Sequence, residues 1–389
     1  MAIDCLKNTI SILGDLVSFN NCGGESNLSI AGYMEDQLKK NDVQYFKVYD
    51  ETGTKLGLHC RIGPAVDGGI ILSGHMDVVP TKGQTWARPD FKLTKEGSKL
   101  YGRGTTDMKG FLACCLASLP LILEKELHKP IYLAFSYDEE VGCLGAPRLI
   151  DHIQKTYAEK PSFAIIGEPT SMITVPAEKG ISLHKTIIKS NAAHSSEIRR
   201  QVSAINEGVK LVQWLSDRME KWIAEDHIDS RFDPNHSTLH VGTITGGVAP
   251  NIIADHCEFL WEMRNLPQDD PGEILEEFQA FCEKQMAKKQ KVASDFKITT
   301  TSVISSVPAL ETPKNSHIVD LSQKWSQHKK LGAVSFASEA GLFSNKGYQT
   351  VLCGPGNMEQ GHTADEYIEI DQLKKCIDYL NHIVIHSRP

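Results

Sequence analysis

Three acidic side chains stand side by side in "SYDEEVGCLGA" (residues 136–146), directly after the apolar run "IYLAF". Asp138, Glu139 and Glu140 repel one another there, and crowding raises the pKa of at least one. A solvated loop after a strand is the ordinary explanation of such a triplet. Other short stretches bear on it. "SGHMDVVP" places His75 just past the run "IILS", with Asp77 two residues on. In extended chain these two share a side, so the Asp77 carboxylate is expected to accept from His75 and fix its tautomer. "LYGRGTTDMKG" sets Asp107 at a Gly-rich turn, where a helix N-cap is the ordinary alternative. Gly102 and Gly104 are too incomplete a pair for a dinucleotide fingerprint. "FAIIGEPT" puts Glu168 past another apolar run, and "GPGNMEQGHTADEY" puts His362 in a loop after "TVLCG".

These stretches need elements that bring them together. Residues 10–180 alternate helix and strand. "IAGYMEDQLKKN" reads as an amphipathic helix, and "GIILSG", "IYLAFS" and "FAIIG" as strands buried on both faces. "MKGFLACCLASLPLILEKEL" reads as one buried helix with a possible kink at Pro120. The expected fold is α/β with a mostly parallel central sheet. From Gly180 the pattern becomes β-α-β-β-α-β: "ISLHKTIIKS", a helix over 204–220, "TLHVGTITGG", "HCEFLWEMR", a helix over 272–288, and "DFKITTTSV". That order predicts a ferredoxin-like α+β insert. After about residue 305 the α/β pattern returns with "HIVDLSQKWSQHKK", "YQTVLCG" and "IDQLKKCIDYLNHIVIH". The expected organisation is a discontinuous domain, 1–179 with 306–389, interrupted by an inserted one, 180–305.

Parallel strands present their carboxyl ends to one edge of a sheet, where α/β proteins bind ligands. His75, Asp107, Glu139, Glu140, Glu168 and His362 all fall near such ends. Two imidazoles and several carboxylates suit a pair of borderline divalent metals, Zn2+ first and Co2+ or Mn2+ as alternatives. Metal charge would offset the crowding of the triplet and leave one carboxylate for proton transfer.

Composition narrows the partners. With 41 basic and 49 acidic residues the formal net charge is −8, which argues against nucleic acid and anionic membranes. "KQMAKKQK" reads as the solvated face of a helix. Ten cysteines without C-x-x-C spacing read as reduced thiols. The first 20 residues lack a basic region and a long apolar core, and no later run is expected to span a bilayer, so the expected location is cytoplasmic.

These motifs, in this order, resemble the dinuclear zinc amidohydrolase family of acetylornithine deacetylase, succinyl-diaminopimelate desuccinylase and aminoacylase. The similarity runs through "SGHMDVVP", "GRGTTDMKG", "DEEVG", "GEPT", "AAHSS" and "GHTADEYIE". It implies that Asp107 bridges two metals, with His75 and Glu168 completing one site and Glu140 and His362 the other. Glu139 is left as the general base, with Asp77 orienting His75. The insert is implied to be a lid and a homodimerisation surface, and His194 a donor to the reacting carbonyl in the partner's site. The chain has "EIRRQVSAI" where the family often has Pro and "GxNAI", which leaves the start of the next helix open. "GQTWARPDFKL", "EMRNLPQDDP" and "ASEAGLF" look most like the acetylornithine deacetylase branch. Glu339-Ala340-Gly341 replaces the Asp-Gly-Arg typical of the desuccinylases, and suits a substrate ending in an ammonium. Arg264 is the candidate for gripping an α-carboxylate, with a structural ion pair as its alternative role, and Asn251 joins it as a substrate-binding candidate. The implied reaction is hydrolysis of N2-acetyl-L-ornithine to acetate and L-ornithine. Another N-acyl amino acid or dipeptide, and a non-catalytic metal-binding scaffold, are the competing readings.

Overall fold

The computed structural model describes residues 2–388. The chain divides into two compact units. Unit 1 comprises the residues up to Ala177, Leu310–Ala333, and Ser338 onward, and unit 2 comprises Glu178–Ala309 with Val334–Ala337.

Unit 1 is built on a six-stranded mixed sheet. Its strands are β1 (Tyr45–Tyr49), β2 (Leu56–Ile62), β3 (Ile70–His75), β4 (Ile131–Ser136), β5 (Phe163–Pro169) and, last in the chain, β10 (Gln349–Gly354). Their spatial order is β1-β2-β4-β3-β5-β10. The pairings β4–β3, β3–β5 and β5–β10 are parallel, whereas β1–β2 and β2–β4 are antiparallel. Every residue of β3 and β4 is buried, as expected of strands covered on both faces. Leu72, Leu133 and Ile165 join one apolar cluster with α1 (Ala2–Val17), α2 (Leu28–Lys40), α3 (Gly110–Ala117), α8 (His317–Ser326) and α10 (Ile370–His386). The opposite face carries Ile71, Tyr132 and Ala134 and packs against α5 (Ala146–Thr156) and α9 (Ala340–Asn345).

Two expectations are refined here. The apolar run expected to be one helix kinked at Pro120 divides at Ser118, two residues before that proline, between α3 and α4 (Leu119–Leu123). Pro120 sits in the first turn of α4, where its missing N–H costs nothing. Residues 105–123 are also apolar and long enough, by composition, to cross a membrane, contrary to the expectation of no such run; 83% of that window is buried inside the fold. None of the ten cysteines is in a disulfide.

Unit 2 has β6 (Gly180–Lys189), β7 (Thr238–Gly246), β8 (His256–Asn265) and β9 (Lys297–Val307) in the antiparallel order β7-β8-β6-β9, with α6 (Ala204–Ala224) and α7 (Pro271–Lys289). This is the ferredoxin-like arrangement. Strict alternation of buried and half-buried residues along β6 and β8 gives one face to a core around Trp261, Phe259 and Phe278. The start of α6 is settled by Ser203, whose side chain accepts from the Asn206 amide and caps the helix without a proline.

Candidate metal centre

The parallel strands β4, β3, β5 and β10 deliver their carboxyl ends to one edge of the unit 1 sheet, and the acidic and imidazole side chains meet there. His75 is the last residue of β3 and is 1% exposed. Its Nε2 lies 3.2 Å from Asp107 Oδ1 and 3.9 Å from Glu168 Oε1. Asp107 Oδ2 lies 3.1 Å from His362 Nε2, which is 3.2 Å from Glu140 Oε2. Asp107 therefore stands between two triads, His75–Asp107–Glu168 and Asp107–Glu140–His362. Within each, the candidate ligand atoms lie within 4.8 Å of one another.

The donor sets fit two divalent cations. Glu140 Oε1 and Glu168 Oε1 are buried with no hydrogen-bond partner, an arrangement that is costly unless a cation or proton fills it. Titration behaviour points the same way. Burial is the largest influence on Glu168, Glu139 and Glu140, and neighbouring carboxylates add to it; Glu168 and Glu139 are driven well up and Glu140 to about 7. Hydrogen bonds that His362 donates to the Asp107 and Glu140 carboxylates lift it to about 10. Burial opposes charge on His75, yet Asp107 and the surrounding carboxylates raise it well above its usual value. Burial would raise Asp107, but the two imidazoles hold it low. Without metal, protons supply the positive charge that the cluster needs. Bound cations would displace those protons and leave neutral imidazoles and ionised carboxylates.

Asp77 acts differently from expectation. His75 Nδ1 lies 2.9 Å from the Asp77 main-chain carbonyl oxygen, whereas the Asp77 carboxylate is 3.7 Å away. A carbonyl can only accept, so Nδ1 carries the hydrogen and Nε2 faces the cluster. The carboxylate instead accepts the amides of Glu139 and Glu140, each at 3.1 Å. It thus shapes the acidic loop. Asp138 turns away from the cluster, accepting from the Gly24 amide at 2.8 Å and pairing with Lys55.

Glu366 and Arg103 were not singled out by the sequence. Glu366 Oε1 accepts the amides of Thr106 and Asp107 at 2.9 and 3.1 Å, and Oε2 accepts the Gly104 amide at 2.9 Å and Arg103 Nη1 at 2.8 Å. Both side chains are 1% exposed. Four donors on one carboxylate fix the turn that carries Asp107 and tie it to the loop of His362. The one sequence signal is acid within "GHTADEY" four residues after His362, and its partner lies 263 residues away.

Glu339 precedes α9 and is 1% exposed, with Oε2 3.4 Å from Ser73 Oγ. Burial pushes its carboxyl up to about 7. The remaining candidates lie in unit 2. His194 pairs with Ile252 in a short antiparallel bridge, and the Ser195 amide donates to the Asn251 carbonyl at 3.0 Å, so His194 and Asn251 are neighbours on an exposed rim. The His194 Nδ1 accepts from the Ser196 amide at 3.2 Å. Arg264 lies far along β8 from that rim, paired with Glu262 at 3.1 Å.

A mixed α/β unit carrying a buried His/Asp/Glu cluster that can hold metal, together with a ferredoxin-like unit, defines a metallohydrolase architecture. The chain belongs to peptidase family M20/M25/M40, whose model matches residues 71–386. Among solved structures it is similar to a tripeptidase from Staphylococcus aureus, at 20% identity and TM-score 0.75 over 98% of both chains. It is similar to the dipeptidase Dug1p from Saccharomyces cerevisiae, at 15% identity and TM-score 0.77 over 99% of this chain and 98% of the other. It also resembles an M20 family metallo-carboxypeptidase from Sulfolobus solfataricus, at 18% identity and TM-score 0.77 over 97% and 98% of the two chains.

Proposed function

We propose that this hydrolase cleaves the amide bond of a small N-acyl amino acid, with N2-acetyl-L-ornithine as the leading candidate. The observation that carries the amide-hydrolase reading is one carboxylate, Glu139, beside two complete candidate triads and belonging to neither. A structural or scaffold metal site has no use for that extra group. His75, Asp107 and Glu168 would hold one ion, and Asp107, Glu140 and His362 the other. When bound, the ions supply Lewis acidity toward the amide carbonyl and toward water. Glu139 takes the proton of the attacking water and passes it to the leaving amine. Burial raises its carboxyl, and the charge of bound cations would offset that and leave it ionised to take the first proton. Arg264 is the proposed grip on the substrate α-carboxylate, and Asn251 a further substrate contact.

The ornithine assignment rests on the motifs quoted above and on Glu339 as the acid that would favour a cationic side chain. Short peptides are the second reading, because the structural neighbours named above are a tripeptidase, a dipeptidase and a carboxypeptidase. A panel of N-acetyl amino acids, N-succinyl amino acids and dipeptides decides between them. N-acetylornithine should show the highest kcat/KM, and Glu339→Gln should shrink that preference; a dipeptide turned over faster would replace the assignment. In the same assay Glu139→Gln should keep its metal and lose about 100-fold or more in kcat.

His194 is the proposed donor to the reacting carbonyl, acting in the partner of a homodimer formed through unit 2. Mixing His194→Ala with Glu139→Gln subunits tests this. Random reassembly makes about half the dimers mixed, so roughly a quarter of all sites should recover. No recovery, with mixed dimers confirmed by mass, would place His194 in its own chain's chemistry or outside the chemistry.

A further inference from the structure

The loop that carries Glu139 folds back on itself. The carbonyl of Glu139 accepts the amides of Gly142 and Cys143, both at 2.9 Å, and Leu144 and Gly145 donate to Asp138 and Tyr137. This cup places Cys143, 3% exposed, beneath the carboxylate. Its Sγ lies 3.5 Å from Glu139 Oε1. That thiol donates to the Glu139 carboxylate from within the same loop. The backbone adds a second, independent observation. Cys143 has φ +56°, a left-handed conformation that a glycine would adopt without cost. The chain holds a residue with a Cβ where the backbone favours none, and the side chain that results touches the proposed base.

We propose that Cys143 is the positioning residue for Glu139: its S–H donates to Oε1 and fixes the carboxylate so that Oε2 faces the proton to be moved. This rests on the reading of Glu139 as general base. The thiol itself is not consumed. The proton taken from water travels to Glu139 and on to the leaving nitrogen, while the thiol proton stays on sulfur. A misplaced base costs rate without costing affinity, because the base acts on the reacting water and not on the bound substrate.

The test compares Cys143→Ala, Cys143→Ser and Cys143→Gly with Glu139→Gln in the metal-loaded protein, on the best substrate of the panel. Loss of one hydrogen bond predicts about a 3- to 10-fold drop in kcat for Cys143→Ala, with KM and bound metal within about twofold of the parent. Cys143→Ser, which restores a donor, should recover at least half of that loss. Cys143→Gly separates positioning from structure: it relaxes the backbone, so its Tm should be no lower than the parent's, yet its kcat should fall as far as that of Cys143→Ala. The proposal is overturned if Cys143→Ala retains full kcat, if the loss appears in KM or metal content, or if Ser is no better than Ala. Should Glu139→Gln itself retain activity, the base assignment falls, and the positioning role with it. An inactive Glu139→Gln beside a fully active Cys143→Ala removes only the positioning role.

Discussion

Glu339 has an environment that its sequence position did not announce. It lies buried against Ser73, and burial raises its carboxyl from 4.5 to about 7. A carboxyl whose folded pKa exceeds its unfolded value contributes stability that is fully present below about pH 4.5 and is lost as pH rises through 7. The lost amount is about 3 kcal/mol over that window. Glu339→Gln removes the ionisation. Urea unfolding of the two proteins at fixed metal content should show the variant gaining on the parent by up to that amount between pH 4.5 and 8. A pH-independent offset would mean that Glu339 is already ionised in the folded protein. The other residue-scale departure, Asp77, has a simple origin. A main-chain carbonyl lies nearer to His75 than the carboxylate does, and carbonyl direction has no signature in residue type.

Among the elements, α3 and β5 approach each other closely at a glycine. Gly167 immediately precedes Glu168, and a Cβ there would run into the ring of Phe111, which is fully buried in α3. The glycine lets the helix that follows Asp107 lie directly on the strand that carries Glu168. Gly167→Ala should therefore lower stability by about 3 kcal/mol through overpacking and weaken metal affinity by moving the two ligand segments apart. Adding Phe111→Leu should restore part of both in thermal melts and metal titrations. An unchanged Tm for Gly167→Ala would show that helix and strand separate freely. Much at this scale was legible in the sequence. β3, β4, β5 and β10 announce themselves as apolar runs ended by His75, Asp138, Glu168 and Gly354, and the alternation along β6 and β8 gave the second unit's sheet. The β1–β2 hairpin was not legible. β1 is an edge strand with mostly half-buried or exposed residues, including Lys47, and β2 interrupts its apolar pattern with His59 and Arg61. The Arg103–Glu366 brace was hidden for a different reason: its partners come from opposite ends of the chain.

On the scale of the molecule, unit 1 is closed by segments far apart in sequence. His75, Asp107, Glu140 and Glu168 come from its first part, and His362 from the part that returns after unit 2. Paired cations in this cluster would join the two parts and offset the charge of buried carboxylates, so metal binding and stability are linked. The same cluster defines the proposed chemistry. The most direct test is a titration of chelator-stripped protein with Zn2+, reading bound metal, amide hydrolysis and Tm together. Activity should be absent without metal and should saturate at two ions per chain, with Tm rising alongside. Asp107→Asn, which alters the residue shared by both triads, should bind fewer than two ions and stay inactive. Full activity without metal, or saturation at a single ion with Asp107→Asn unaffected, would contradict the account.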